Sequence, residues 1–281
     1  MSFKSALKEI LPAPVIAYAA AVKQQINLAA IAPAEFLPDS LKPSSDFLVP
    51  RVLGDADAAL TWEVDSKEIE KFHPPQDLYG GVNPGDRRAL YTLVRALKPA
   101  SVLEVGTHIG SSTVHIAKAL KTNMAGHLTT VDVYDVNDAE QGSWKKYNLP
   151  LSVKATLEQA DVADRVTFRT DGAQAFLQKT DLNFDLIFLD GDHSAAAVYS
   201  EVSAALKRLS PDGIIVLHDY FPDGKALFPG EPVIHGPYLG MRRVMSEHKE
   251  VHVIPLGELP WPTKLGGNTT SLAVVVKHAV G

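Results

Sequence analysis

Two short stretches concentrate the side chains that could do chemistry. Asp190-Gly191-Asp192-His193-Ser194 follows an apolar run from Phe184, and His218-Asp219-Tyr220 closes the run that begins at Ile214. Carboxylates brought together repel one another unless a proton or a cation neutralises them. If the two stretches meet, they make a place that holds positive charge or passes a proton. Asp192 and His193 are the candidates for a general base, because an imidazole titrates close to neutrality and a positioned carboxylate also accepts protons. Read structurally, His193 instead caps the helix that follows or orients Asp190.

A third stretch, from Ala100 to Thr113, is shaped to hold a ligand. Ser101 to Val105 is a short buried strand with one acid, Glu104, near its end. Gly106 and Gly110 then allow a sharp turn and a close backbone approach. Ser111, Ser112 or Thr113 is expected to cap the helix that runs on through Leu120. The pattern Glu-x-Gly-x-x-x-Gly is not the dinucleotide fingerprint Gly-x-Gly-x-x-Gly, which fails at His108 and Ser111. Nor is there the lysine that a P-loop requires. Asp132, roughly 20 residues beyond the turn, stands where an acid accepts both hydrogens of a ribose diol; Asp135 is the register-shifted alternative.

These stretches need a scaffold, and the chain supplies a regular one. Strands are expected over Ser101 to Val105, His127 to Val133, Val166 to Thr170, Phe184 to Asp190 and Ile214 to His218, with helices between them. Strand four is almost continuously apolar, as a strand covered on both faces must be. Such alternation specifies an α/β, doubly wound (Rossmann-like), mostly parallel sheet with ligand sites at the carboxyl ends of its strands. Strands four and five are neighbours in that arrangement, so the two polar stretches should converge. A helix over Tyr238 to His248 and strands at Val251 to Pro255 and Ser271 to Lys277 complete a seven-stranded sheet. The Gly- and Pro-rich passages Tyr220 to Pro237 and Trp261 to Asn268 are long enough to be functional loops.

Residues 1–75 read as a separate N-terminal helical and loop extension to a domain spanning 76–281. Phe3 to Leu11 and Val15 to Ile31 are expected helices, and Pro33, Pro38, Pro43 and Pro50 mark a loop-rich passage behind them. The extension packs against the main domain, joins a second copy in a homo-oligomer, or covers the substrate as a lid.

A chain of 281 residues with 46% hydrophobic residues has material for a large core. Its net charge of −6 argues against a long nucleic-acid contact, which needs Lys and Arg against phosphates. With no cysteine it can form neither disulfides nor thiolate metal sites, which fits a cytoplasmic protein. No apolar run is long enough to span a membrane.

The glycine stretch resembles the first motif of class I S-adenosylmethionine-dependent methyltransferases. That resemblance, covering about residues 76–280, implies that Glu104, Gly106, Thr107, His108, Gly110, Ser111 and Ser112 cradle the methionine part of the cofactor. It puts Asp132 on the ribose and Asp171, Gly172 and Ala173 at the adenine edge, with Tyr79, Gly80 and Gly81 passing over the cofactor. The two polar stretches are similar to the metal site of divalent-cation-dependent small-molecule O-methyltransferases, such as the catechol and macrocin enzymes. The likeness makes Asp190, His218 and Asp219 metal ligands and Asp192 or His193 the base that deprotonates a small hydroxylated substrate. His218 departs from that pattern, since an oxygen ligand is commoner there; magnesium prefers oxygen, whereas imidazole suits manganese, iron, cobalt or zinc better. The rival readings are a metal-independent methyltransferase using Asp192 or His193, and a nicotinamide-dependent oxidoreductase, against which His108 argues.

Overall fold

The computed structural model describes residues 13–35, 38–73, 81–264 and 266–277. The helix expected over Phe3 to Leu11 lies outside them, as do Tyr79 and Gly80.

The described chain begins with α1 (Ala13–Ala29), α2 (Val49–Leu53) and α3 (Ala56–Ile69). After them come α4 (Pro84–Leu97), β1 (Ser101–Val105), α5 (Ser111–Thr122), β2 (His127–Asp132), α6 (Ser143–Lys146), α7 (Val153–Gln159) and β3 (Val166–Thr170). The chain continues as α8 (Ala173–Lys179), β4 (Phe184–Leu189), α9 (Ala195–Leu206), β5 (Leu209–Leu217), α10 (His235–Glu247), β6 (Val251–Pro255) and β7 (Ala273–Lys277).

The seven strands form one sheet in the order β3-β2-β1-β4-β5-β7-β6. β1 pairs in parallel with β2 and β4, and only β7 runs antiparallel to its neighbours β5 and β6. The order reverses between β1 and β4, so a crevice opens at their carboxyl ends. The expected doubly wound, mostly parallel sheet is what forms.

Alternation along each strand sorts the core into two layers. Leu103, Val105, Ile187, Leu189, Ile215 and Leu217 face α8, α9 and α10. Val102, Leu186, Phe188, Ile214 and Val216 face α4, α5 and the α2 region. Both faces are covered, so every side chain of the central strand β4 is apolar and buried except the half-buried Asp185.

The N-terminal helices belong to this packing. Leu28 of α1 is part of the layer under α9 and α10. Arg243 donates to the carbonyls of Leu28 and Ile31, and the Ala34 N–H donates to Tyr199 Oη at 2.8 Å. Gln24 Oε1 accepts the N–H of Ala195 at the start of α9, at 2.6 Å. The passage through Pro33, Pro38 and Pro43 is loop-rich as expected among the described residues, and two unforeseen helices, α2 and α3, follow it from Val49. Pro50 sits in the first turn of α2, where a missing N–H costs nothing. Asp55 caps α3, its side chain accepting from Ala58 N at 2.8 Å. α3 packs Trp62 against Tyr91 of α4, and its Asp65 accepts from Tyr91 Oη and Thr122 Oγ1, both at 2.6 Å.

β5 begins earlier than expected, at Leu209. Ser210-Pro211-Asp212-Gly213, which reads as a turn, is accommodated by a register shift against β4 between Phe184 and Leu186. No helix among the described residues is long and apolar enough to cross a membrane.

Candidate active site

The glycine stretch leaves β1 and turns back within five residues. Gly106 adopts φ +95°, and a Cβ there would lie 2.3 Å from the backbone oxygen of Asp190. This close approach lets the β1 and β4 ends share one rim. Gly110, at φ +78°, is the N-cap of α5, and no side chain caps that helix. The expectation that Ser111, Ser112 or Thr113 would do so is therefore corrected. A left-handed N-cap suits glycine, and the hydroxyls go elsewhere: Thr113 Oγ1 donates to Glu104 Oε2 at 2.6 Å, and Ser111 Oγ pairs with His73 Nε2 at 3.1 Å. The helix start is left facing the crevice with its positive end.

That crevice is a cleft of roughly 550 Å³. Gly81, Gly106, Thr107, His108, Ser111 and Ser112 line one part, and Asp132, Asp171 and Ala173 another. Asp190, Asp192, His193 and the unforeseen Glu201 complete it. Of the other expected site residues, Gly110 shapes the turn, Gly172 is the N-cap of α8, and Glu104 lies buried beneath. Asp132 Oδ2 accepts the His108 N–H at 2.9 Å, which ties the glycine turn to the end of β2. Asp135 Oδ1 accepts from Asn137 N, within its own loop. Asp171 does not cap α8; its Oδ1 bonds the adjacent Gly172 N–H and its other oxygen faces Lys179 at 3.5 Å.

Glu104 receives Thr113 Oγ1 and Thr130 Oγ1 on Oε2, while its buried Oε1 has no partner. An orphaned buried acceptor beside an open helix start is what a ligand carrying N–H donors would satisfy. Burial pushes the Glu104 acid up to about 7, against the pull of the nearby hydroxyls of Ser112, Thr113 and Thr130 and with a further push from the Asp190 charge. The folded chain thus holds this proton to higher pH than the unfolded chain, where an ordinary glutamate releases it near 4.5. Its contribution to stability is complete below pH 4.5 and is lost as pH rises through about 7. The ligand-free protein is expected to lose up to ~3 kcal/mol across that window through this group. Thermal melts between pH 5 and 8 check it: Glu104→Gln should flatten the slope, and parallel slopes in both proteins would contradict the assignment.

The two polar stretches meet at the ends of β4 and β5. His218 Nδ1 lies 2.8 Å from Asp190 Oδ1 and 3.8 Å from Asp219 Oδ1. His193 Nε2 lies 3.7 Å from both Asp190 Oδ1 and Asp219 Oδ2. The fifth member, Asp86, comes from the first turn of α4: its fully buried Oδ2 faces His218 Nε2 at 3.3 Å, and Asn83 and Thr270 also donate to it. Each ring nitrogen of His218 thus faces a carboxylate oxygen, an arrangement that favours the charged imidazolium. Burial works against that charge, but Asp190 and Asp219 outweigh it, with hydrogen bonds to Asp190 and Asp86, and hold the imidazole well above its ordinary range.

This bears on a metal. With both ring nitrogens turned to carboxylate oxygens, His218 presents no free nitrogen to a metal, and this arrangement does not fit the ligand role expected for it. Among the described residues, no group of three or more His, Asp or Glu is arranged to hold a metal ion. The positive charge that the carboxylates require is supplied here by His218 itself.

His193 is the side chain of this cluster that also lines the cleft with a ring nitrogen. It does not cap α9; Ser194 does, through its hydroxyl. Asp192 Oδ1 is occupied by the Ser194 N–H at 2.8 Å. Asp86 and Glu201 are the site-lining or site-supporting acids that sequence reasoning missed. Asp86 reads as an ordinary first-turn acid of a helix, but Glu201 carries a signal, being the sole charged residue of the twelve in α9.

Residues 103–220 match the family model described as a methyltransferase domain. The segment from β1 to the end of β5 that the match spans is the one that builds the cleft. That segment is similar to a methyltransferase domain, and the match covers less than half of the chain. It is 29% identical over 161 residues to a catechol O-methyltransferase of Niastella koreensis, covering 55% of this chain and 66% of that one. In the curated relatives that it matches, the chain spans between 52% and 66% of their length. Among solved structures the fold is similar to an O-methyltransferase from Bacillus cereus in complex with SAH, with a TM-score of 0.50, 22% identity, and coverage of 83% of this chain and 94% of that one. It is also similar to TomG of Streptomyces achromogenes, an O-methyltransferase involved in tomaymycin synthesis, in complex with SAM, with a TM-score of 0.50, 20% identity, and coverage of 77% and 90%. These structural likenesses show the fold alone.

Proposed function

We propose that this protein is an S-adenosylmethionine-dependent O-methyltransferase that acts on a small hydroxylated molecule, with His193 as the base. The observation that carries the reading is the meeting of Asp190 and His193, which line the glycine-turn cleft, with His218 and Asp219 behind them. When bound, the cofactor supplies an electrophilic methyl group on a positively charged sulfur. The residues of this chain have three tasks beside it. Glu104 Oε1 and the uncapped start of α5 receive the amino acid part, while Asp132 holds the ribose. Asp190 and Asp219 give the rim a negative character that favours a sulfonium and flank His193 on two sides. His193 would take the proton from the acceptor hydroxyl, and Asp192 fixes the loop through Ser194.

Isothermal titration tests the cofactor. Binding of SAH, with none of NAD under the same conditions, is expected; NAD binding without SAH would overturn the proposal. Because His218 carries the compensating charge, dialysis against EDTA is expected to leave turnover within about twofold of the untreated protein. A collapse of activity that magnesium or manganese restores would return a divalent cation to Asp190 and Asp219.

We further propose that 76–281 carries the catalytic unit and that 1–75 supports it. The packing of α1 on α9 and α10 supports that division.

A further inference from the structure

Glu201 is used by none of the steps above. It is 8% exposed, yet it lines the cleft, and a Cβ on Gly191 would stand 3.9 Å from its Oε1. On its other side it borders a shallow groove with Gln174, in the first turn of α8. No hydrogen bond or ion pair to its carboxyl is formed among the described residues. Burial, and then the charge of Asp192, push this acid up to about 8, so it is mostly neutral at pH 7. The cleft lining offers no alternative: it contains Asp132, Asp171, Asp190 and Asp192 but no Lys or Arg, so an ionised Glu201 would have no counter-charge.

A neutral carboxylic acid presents one donor and one acceptor side by side. The hydrogen-bonding edge of adenine presents the complement, a ring nitrogen acceptor next to an amino donor. Val133, Asp171, Ala173, Gly191 and Glu201 line the same cleft as Asp132, and with Asp132 on the ribose this reading puts the base among them. We propose that Glu201 is a specificity residue that reads this edge as a protonated acid, donating to the adenine ring nitrogen N1 and accepting from the exocyclic amino group. This inference rests on the cofactor reading given above.

Isothermal titration separates the two. The probes are SAH and its analogue in which hydrogen replaces the 6-amino group of adenine. Wild-type protein is expected to bind the analogue about tenfold more weakly than SAH. Glu201→Gln, which keeps a donor and an acceptor, should bind SAH within about threefold of wild type. Glu201→Leu and Glu201→Ala should each lose about tenfold for SAH and no longer distinguish it from the analogue. Circular dichroism melts on all three identify any variant that has lost its fold, and the two apolar replacements guard against a failure of one. If a folded apolar variant still discriminates as wild type does, or if Gln weakens binding as much as Ala, the assignment to adenine is wrong. If wild type binds neither probe, the cofactor reading itself falls.

Discussion

Replacing His193 with glutamine is expected to lower turnover by about two to four orders of magnitude while SAH affinity stays within about twofold. The side chain keeps a polar tip near Asp190 and Asp219 but cannot take a proton at neutral pH. His193 lines the cleft and does not cap α9, so its loss should spare both the fold and the cofactor subsites. Asp192→Asn is the companion variant. Its amide oxygen can still receive the Ser194 N–H, so a base at His193 predicts only a small loss there. If the aspartate variant is the dead one and the glutamine variant turns over normally, the roles of these neighbours are reversed. The measurement is single-turnover methyl transfer, with SAH titrations on each variant.

Gly106→Ala should have the largest effect on the fold. The position combines φ +95° with backbone neighbours on every close side: the Asp190 oxygen at 2.3 Å, its carbonyl carbon at 2.8 Å and the Gly191 nitrogen at 3.2 Å. None of these is a flexible side-chain end, so the methyl group can be admitted only by parting β1 from β4 where the sheet order reverses. We expect a loss of about 3 kcal/mol or more, a fall of roughly 10 °C in melting temperature, and SAH affinity reduced along with it. Gly172→Ala is the control, because nothing lies within 4 Å of a Cβ there and its backbone is extended. Equal melting temperatures for the two variants would show that the β1–β4 rim yields more easily than its geometry implies.

What could be read from the residues depended on how locally each feature is determined. β1 and β4 are buried on both faces, so their apolar runs announce them, and the convergence of the two polar stretches follows from topology. α3 was hidden because its inward face includes Asp65, which serves Tyr91 and Thr122 rather than forming an apolar stripe. Pro50 reads as a breaker in a sequence but serves as a starter in the structure. The beginning of β5 carries turn residues that only the bulge against β4 makes acceptable. The state of His218 was beyond reach for another reason. Its second nitrogen is taken by Asp86, 132 positions earlier, and no local pattern links a helix start to a strand end.

The bond from Gln24 to the first turn of α9 has a consequence for how the protein can be handled. The acceptor that this glutamine offers sits two residues beyond His193, so the remote leading helix and the base loop share an anchor. Shortening the chain from its front to ease crystallisation or expression would free that anchor. The price would be paid in how steadily the imidazole is aimed, and a trimmed protein that melts normally could still be a poor catalyst.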